Sequence, residues 1–580
     1  MSLGGAERED GSKAKKKNVL ILDGHRPPAL TVSRSLARSG YNVDLATPWY
    51  RRSSNLFSRY LRNRISYVPH QEDPEAFRRF TRRMSYIYDV ILPVAEDTEL
   101  EISHFRHDIN SYCLVPIPDG ESLRVACDKG LTVRLAEGLG IPTPLTISAE
   151  NEDELVGRLD EVRYPAVVKL PEESGARVFP RYRIARDKVE LLAAYRYLAR
   201  CNVAPLVQEY VQGEGLGAFL LYNKYSELIA CFTHRRIIEY PISGGFSAFA
   251  ESILDPEALE ISIKLLGSLN WKGVAMVEFK RMSDGSLRLM EINPRFWGSI
   301  SLAVFSGVDF PTMLVETFDG RRSELSFPSY SRRYMIRASV LAKSIAQSVS
   351  EGKVGQEARK LLNALSEPGL VRFEDVNSDI GPLFSQVYYN AFDHAATTLA
   401  KVKKKVYLRL NRPNFDYLTP SVAVGGENGA KVLARAGFQT IIDLREHATE
   451  SEQMAARFHS IEHLTFPTPD NGAPSESELK RIIDQVSRGV ESGKKVLIHC
   501  SEGRGRAPTV ACAYLMSTGL GFSESYRILK SKRSLVNFTD AQLAALESFS
   551  RALKENVESC KMDQMASKTK AEVEATTSPR

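Results

Sequence analysis

The chain has 580 residues, a length that predicts several domains, and 43% of them are apolar, enough for ordinary globular cores. The net charge is +6 with 26% charged residues; the basic residues are spread along the chain and do not alternate with stacking aromatics, which excludes nucleic acid as a partner. The 7 cysteines, at 113, 127, 201, 231, 500, 512 and 560, are odd in number and no pair has metal-ligand spacing, which excludes a disulfide framework and fits a reducing, cytoplasmic setting.

Residues 1–17 end in Lys13-Ala-Lys-Lys-Lys and read as a disordered basic tail without the apolar core of a secretory signal. No segment approaches the ~20 apolar residues needed to span a bilayer. Asn18-Val-Leu-Ile-Leu-Asp predicts a first strand, about Ala29 to Ser39 a helix, and Tyr41-Asn-Val-Asp-Leu-Ala a second strand; Asp89-Val-Ile-Leu-Pro-Val continues the pattern. This is the β-α-β start of an open parallel sheet, giving a first α/β domain over 18–125. Strand and helix signals alternate to about residue 320.

Within 126–328, Leu289-Met-Glu-Ile-Asn-Pro-Arg-Phe-Trp-Gly places Glu291, Asn293 and Arg295 at alternate positions of an extended segment, so their side chains share one face. Val274-Ala-Met-Val-Glu-Phe-Lys supplies Glu278, and the intervening Ser283-Asp-Gly reads as a hairpin turn, so Glu278 is expected to face Glu291. Oxygen donors without cysteine or histidine favour Mg²⁺ or Mn²⁺ over Zn²⁺, and a guanidinium beside them suits phosphate oxygens. The Gly213-Glu-Gly-Leu-Gly fragment follows no first β-strand and opens no helix, so it fails as a dinucleotide fingerprint.

The Glu…Glu-x-Asn-x-Arg arrangement resembles the metal site of the ATP-grasp superfamily, which includes biotin carboxylase and D-alanine–D-alanine ligase, and the resemblance runs from about Asn18 to Pro328. Asp128-Lys-Gly-Leu-Thr before Gly140-Ile-Pro-Thr-Pro, and Tyr164-Pro-Ala-Val-Val-Lys-Leu-Pro, look like its two nucleotide-lysine segments; the resemblance implies Lys129 and Lys169 as phosphate contacts. Val207-Gln-Glu-Tyr-Val-Gln-Gly-Glu looks like its adenine hinge. It implies that Gln208, Glu209, Tyr210 and Val211 present polar backbone to the base, with Glu209 near the exocyclic amine and Glu214 on the ribose. It further implies ATP and Mg²⁺ (or Mn²⁺) as cofactors, Glu278, Glu291 and Asn293 as metal ligands, and Arg295 as a catalytic group. Where the family keeps a glycine-rich phosphate loop, this chain has Pro171-Glu-Glu-Ser-Gly-Ala-Arg-Val, with one glycine and two acids. His234-Arg-Arg and Ile242-Ser-Gly-Gly-Phe-Ser read either as the lining of an acceptor pocket, or a site for a substrate anion, or as a turn with solvated arginines.

From 329 to 403 the periodicity becomes helical, as in Ser339-Val-Leu-Ala-Lys-Ser-Ile-Ala-Gln-Ser-Val and Ala358-Arg-Lys-Leu-Leu-Asn-Ala-Leu, and predicts a helical connector without motif chemistry. A new α/β domain over 404–555 opens at Asn414-Phe-Asp-Tyr-Leu-Thr-Pro-Ser-Val-Ala-Val-Gly-Gly, with Thr440-Ile-Ile-Asp-Leu-Arg as its next strand. The strand Lys495-Val-Leu-Ile-His runs through Cys500-Ser-Glu-Gly-Arg-Gly-Arg into a helical stretch from Thr509. Loop N–H groups and a helix N-terminus both favour an anion there, and Arg506 can grip two oxygens of a phosphate. His459-Ser-Ile-Glu-His matches a zinc pattern that requires a helix, yet it runs into the strand Leu464-Thr-Phe-Pro with no third ligand, so no metal is expected there. Residues 556–580 read as a disordered tail.

The Cys500–Arg506 loop resembles the H-C-x5-R signature of cysteine-dependent protein tyrosine and dual-specificity phosphatases. The resemblance implies Cys500 as nucleophile, Arg506 as phosphate clamp, and Asp470, between the prolines of Phe466-Pro-Thr-Pro-Asp-Asn-Gly-Ala-Pro, as general acid and then base. The chain has Ala507 where many relatives carry Ser or Thr, as in phosphatases of regenerating liver and some glucan phosphatases. Thr509 reads as a partial substitute or as a helix N-terminal residue, and Gln542 as a water-orienting group or an exposed helical glutamine.

The sequence therefore predicts a multidomain α/β chain: an N-terminal ATP-grasp fold, a helical connector and a C-terminal cysteine-dependent phosphatase α/β fold. The function it predicts is a bifunctional enzyme, an ATP-grasp ligase that activates a carboxylate as an acyl phosphate together with a phosphomonoester and phosphotyrosine phosphatase. Expected partners are small carboxylates and amines or a phosphorylated metabolite, or a phosphoprotein. A signalling phosphatase with an ATP-sensing module, and a small-molecule kinase–phosphatase pair, are the alternatives.

Overall fold

The computed structural model describes residues 16–171, 182–200, 203–242, 245–321, 333–366, 369–373, 379–447 and 460–553. The chain divides into two units: Met1–Val68, Glu75–Thr143 and Gln212–Gln386 form the first, and Pro69–Pro74, Pro144–Val211 and Val387–Arg580 the second.

In the first unit, the predicted β-α-β start is a four-stranded parallel sheet, in the order Asn63–Tyr67, Asn42–Pro48, Asn18–Ile21, Val90–Leu92. Both faces of its inner strands are covered: Val19, Ile21, Val43 and Leu45 enter one core, and Leu20, Ala46 and Ile91 the other. A second, seven-stranded sheet runs Leu287–Asn293, Gly273–Arg281, Glu214–Tyr222, Leu228–Tyr240, Phe246–Ile253, Arg333–Ile336, Leu370–Phe373. Its first six strands are antiparallel and the last pair is parallel.

The last two strands of that sheet lie inside the segment read as a helical connector. The helices Ala338–Ser350, Val354–Leu365 and Gly381–Arg409 are present there. Before them, Arg333–Ile336 pairs with Phe246–Ile253, and between the last two, Leu370–Phe373 pairs with Arg333–Ile336. Each is 4 residues long, too short for strand periodicity to stand out against helical neighbours.

In the second unit, Pro144–Val211 contributes a four-stranded antiparallel sheet in the order Thr146–Ser148, Leu206–Glu209, Ala166–Lys169, Tyr182–Ala185, with its own core around Leu155, Leu191 and Leu198. The C-terminal part is a five-stranded sheet in the order Phe415–Tyr417, Val422–Gly425, Val496–His499, Thr440–Asp443, Glu462–Thr465, parallel apart from its first pair. The central strand Val496–His499 is wholly buried and feeds the buried helix Arg506–Ser517. The helix Glu476–Glu491 starts in a capping box in which Ser475 and Glu478 satisfy each other's backbone amides.

Candidate active sites

The loop between the central strand and the helix Arg506–Ser517 is held by its carbonyls. Ser501 O accepts from Glu427 N at 3.0 Å, and Arg504 O from Asn537 N at 3.0 Å. Glu502 O and Gly503 O accept from the Arg533 guanidinium at 3.0 and 2.6 Å. Gly505 O accepts from the Thr509 amide at 2.8 Å and its hydroxyl at 3.0 Å. With these carbonyls tied back, the N–H groups are left for an anion, and Gly503 N already points at Cys500 Sγ, 3.3 Å away. Gly503 has φ +69°, and a Cβ there would lie 2.5 Å from both Arg533 Nη2 and the Gly425 carbonyl carbon, so only glycine fits.

Cys500 is buried at the start of this loop. Arg506 is 8% exposed and Asp470 is 75% exposed, and Arg506 Nη2 lies 3.1 Å from Asp470 Oδ1. The guanidinium also donates to Thr468 O at 2.9 Å. The three residues read from the sequence as nucleophile, clamp and acid are thus gathered at one loop. Gln542 resolves against the exposed alternative: it is 1% exposed, its Nε2 donates to Gly472 O at 2.9 Å, and its Oε1 accepts from Thr539 N. It ties the Asp470 loop to the helix that follows Asn537. The Thr509 hydroxyl spends its proton on Gly505 O, which makes it a helix-start residue.

Behind the loop, Asp443 and His499 are register partners on adjacent strands. Arg445 Nε and Nη2 sit 2.9 and 2.7 Å from the two Asp443 oxygens, while His463 and His499 Nε2 lie 3.5 and 3.7 Å away. Burial pushes the Asp443 carboxyl up, but the close approach of His463 and Arg445 and the charge of His499 outweigh it and hold the group well below the usual carboxylate range. Asp443, His463 and His499 have the donor types of a zinc site. Arg445 occupies both carboxylate oxygens, however, and the cluster reads as an ion-pair network. His459, the other histidine of the zinc pattern, lies outside the described residues.

The first unit brings together five of the residues assigned to nucleotide chemistry. Glu278 and Glu291 are register partners across the Ser283-Asp-Gly hairpin, as expected. Asn293 Nδ2 donates to Glu291 Oε1 at 3.1 Å, Arg295 Nη2 donates to Asn293 Oδ1 at 3.1 Å, and Lys129 Nζ is 3.3 Å from Glu291 Oε2. Arg295 also lies 3.4 Å from Glu96. The sequence missed the partner of Glu278. Arg236 grips both its oxygens, at 2.8 and 2.6 Å, and reaches Glu239. Burial opposes the charge on Arg236, but Glu278 and Glu239 more than offset it and hold the group protonated. Burial, with Glu291 opposite, raises the Glu278 carboxyl despite Arg236. Glu291 and Asn293 are hard oxygen donors of the kind Mg²⁺ takes, whereas Arg236 occupies both oxygens of Glu278, as Arg445 does those of Asp443. Glu214 heads its strand, partly exposed, 3.6 Å from Arg235.

The second unit holds the remaining ones. Lys169 ends the strand Ala166–Lys169 and donates to Gln208 Oε1 at 2.8 Å, and Gln208 Nε2 donates to Thr146 Oγ1 at 2.8 Å. Gln208 therefore fixes Lys169 from a buried position. The amides of Glu209 and Tyr210 donate to Leu145 O and Pro165 O, so these two N–H groups are committed within the sheet. Val211 is buried. Glu172 and Glu173 of the expected phosphate loop, and Ser243 and Gly244, lie outside the described residues.

The fold and these sites define two classes of protein in one chain, an ATP-grasp region and a cysteine-dependent phosphatase. The family model "Dual specificity phosphatase, catalytic domain" matches residues 423–552, and "ATP-grasp in the biosynthetic pathway with Ter operon" matches residues 243–339. The chain is 29% identical over 123 residues to a phosphatidylglycerophosphate phosphatase of Arabidopsis thaliana, covering 21% of this chain and 53% of that one. It is 25% identical over 174 residues to the D-alanine–D-alanine ligase of Aquifex aeolicus (strain VF5), covering 29% and 58%. The N5-carboxyaminoimidazole synthetase of Staphylococcus aureus, solved with ADP, is 15% identical with a TM-score of 0.46, covering 57% of this chain and 84% of that one. The chain spans about half the length of the curated relatives it matches. It carries an ATP-grasp region followed by a dual-specificity phosphatase catalytic domain.

Proposed function

We propose that this is a bifunctional enzyme, a cysteine-dependent phosphomonoesterase joined to an ATP-dependent carboxylate–amine ligase. The tied-back carbonyls of residues 501–505, with Cys500 beneath them and Arg506 and Asp470 at the rim, carry the phosphatase half. Cys500 Sγ attacks phosphorus while the loop N–H groups and the Arg506 fork take the three non-bridging oxygens. The bond to the leaving oxygen breaks, and protonated Asp470 supplies its proton. The Asp470 carboxylate then takes a proton from water as that water attacks the cysteinyl phosphate, releasing phosphate and the thiolate. Asp470, within reach of Arg506, is exposed, where a leaving group can meet it. The phosphatidylglycerophosphate phosphatase relative points to alkyl phosphomonoesters, whose poor leaving groups need that acid.

The linked set Lys129, Glu291, Asn293 and Arg295, with Glu278 opposite, supports the ligase half. Lys129 and Arg295 would neutralise nucleotide phosphate oxygens, and Glu291 and Asn293, joined by Glu278 once Arg236 releases it, would hold Mg²⁺, which supplies charge neutralisation at the phosphoryl group in transfer. Lys169, fixed by Gln208, is assigned to phosphate as well. The acceptor is a carboxylate, activated as its acyl phosphate, and an amine then displaces phosphate; the D-alanine–D-alanine ligase relative supports that pair of partners. We place the enzyme in the cytoplasm, because the thiolate mechanism requires a reducing setting.

The full chain should hydrolyse an aryl phosphate without added metal and should lose this in Cys500→Ser. It should also release ADP from Mg·ATP only when a carboxylate and an amine are supplied. Metal-free turnover surviving in the serine variant would refute the first half. ADP formation with phosphate retained on the acceptor would replace ligase by kinase.

A further inference from the structure

The helix Gly381–Arg409 carries an apolar stripe that faces solvent. Tyr388, Phe392, Leu399, Val402 and Val406, with Leu410 just past its end, are between 43% and 64% exposed. Ala395 is exposed as well. At 100° per residue these positions stay within one narrow sector over about 27 Å of helix. The other side of the helix is fixed in the second unit: Ala396 and Ala400 are buried, and Lys404 reaches Ser501 of the catalytic loop at 3.0 Å and Glu427 at 3.2 Å. The stripe is therefore not the face that holds the helix in place.

The charges beside the stripe have one sign. Lys401, Lys403, Lys405 and Arg409 follow its middle, Lys404 being turned to the catalytic loop, and Asp393 is the one acid between Val387 and Arg409. Pairing with a second copy of the helix would set lysines beside the seam with no acidic flank to meet them. Three of these four cations are lysines, point charges on long apolar stems, which suit a diffuse anionic surface more than bidentate carboxylates. Aromatic and aliphatic side chains on one sector with lysines at its borders are the pattern of a helix lying in a membrane interface. Among the described residues, no helix is long and apolar enough to cross a membrane, so the contact would be superficial.

We propose that the exposed face of the helix Gly381–Arg409 docks the protein on an anionic lipid surface, through the stripe from Tyr388 to Leu410 and the lysines beside it. Flotation of the full-length protein with phosphatidylcholine vesicles, with and without phosphatidylserine, tests this. The protein should float with the phosphatidylserine vesicles and stay behind with phosphatidylcholine alone, and added salt should release it. Leu399→Asp/Val402→Asp should abolish flotation, and Lys401→Gln/Lys405→Gln should weaken it by about fivefold per lysine. Hydrolysis of a soluble aryl phosphate by both variants checks that they are folded, and reads the phosphatase assignment separately from lipid binding. Absence of flotation at low salt, or flotation that neither variant alters, would overturn the proposal. So would a dimer in sedimentation that Leu399→Asp/Val402→Asp dissolves while no vesicle is bound, since a second copy would then cover the stripe.

Discussion

Replacing Arg533 separates the scaffold of the phosphatase loop from its chemistry. Arg533 touches neither Cys500 nor Asp470; its guanidinium holds Gly503 O, Glu502 O, Asn414 Oδ1 and Asp416 Oδ2 at 2.6 to 3.0 Å. A hydrogen bond to a charged group contributes about 1.5–3 kcal/mol. Losing the two carbonyl anchors at the lower figure gives about 3 kcal/mol, or about a 10²-fold fall in kcat/KM if that energy is what keeps the loop N–H groups aimed at the transition state. Arg533→Met should show that fall against an aryl phosphate, with weaker inhibition by vanadate in the same proportion. Arg533→Lys should lie between, because one ammonium reaches one carbonyl but cannot span all four acceptors. Circular dichroism and a thermal melt would establish that the variants are folded at the assay temperature. A folded Arg533→Met enzyme with kcat/KM and vanadate inhibition within about twofold of the parent would refute the reasoning, because it would show that the loop holds its shape without these anchors.

Three further outcomes are expected. Asp470→Asn should lower kcat/KM, which reports the phosphorylation step, by about 10²–10⁴-fold for an alkyl phosphate and far less for a nitrophenyl ester; an equal loss in kcat/KM with both leaving groups would reduce Asp470 to a loop residue. Because the Asp443 carboxyl is held below its ordinary value in the fold, the stability it contributes is present above the unfolded value of about 3.9 and is lost as pH falls below that value toward the depressed one. Urea midpoints between about pH 5 and pH 3 should therefore fall more steeply for the parent than for Asp443→Asn, and parallel curves would contradict the network. Glu291→Ala should weaken binding of a non-hydrolysable Mg·ATP analogue by calorimetry, since it removes a metal ligand and the partner of Lys129; unchanged heat and affinity would move the metal elsewhere.

The reach of the sequence is set by distance along the chain. The Cys500–Arg506 loop was legible because nucleophile, cradle and clamp are contiguous, and the facing of Glu278 and Glu291 because a hairpin turn joins their strands. Arg533 and Asn537 were not, since they act on the loop from beyond its helix and nothing local distinguishes an arginine after two lysines from a surface one. Gln542 was legible only as a pair of alternatives, and its burial decides between them. Arg236 reads as acceptor-pocket lining, an anion site or a solvated turn; its partner Glu278 lies two strands away, across the Glu214–Tyr222 strand that pairs with both. Gln208 read as part of a hinge, but its side chain holds Lys169 because adjacent antiparallel strands bring the two together. The strands Arg333–Ile336 and Leu370–Phe373 were hidden by their helical surroundings.

The central claim is that hydrolysis passes through phosphate bound covalently to Cys500. In Asp470→Asn, a substrate with a very good leaving group still phosphorylates the thiolate, while the second step lacks its base, so the intermediate should accumulate. Quenching that variant in acid after brief exposure to dinitrophenyl phosphate, then digesting and weighing the peptides, should find the peptide containing Cys500 heavier by one phosphoryl group, and unmodified when Arg506→Lys is added. Turnover of the ester with the Cys500 peptide unmodified at every time point would contradict the account.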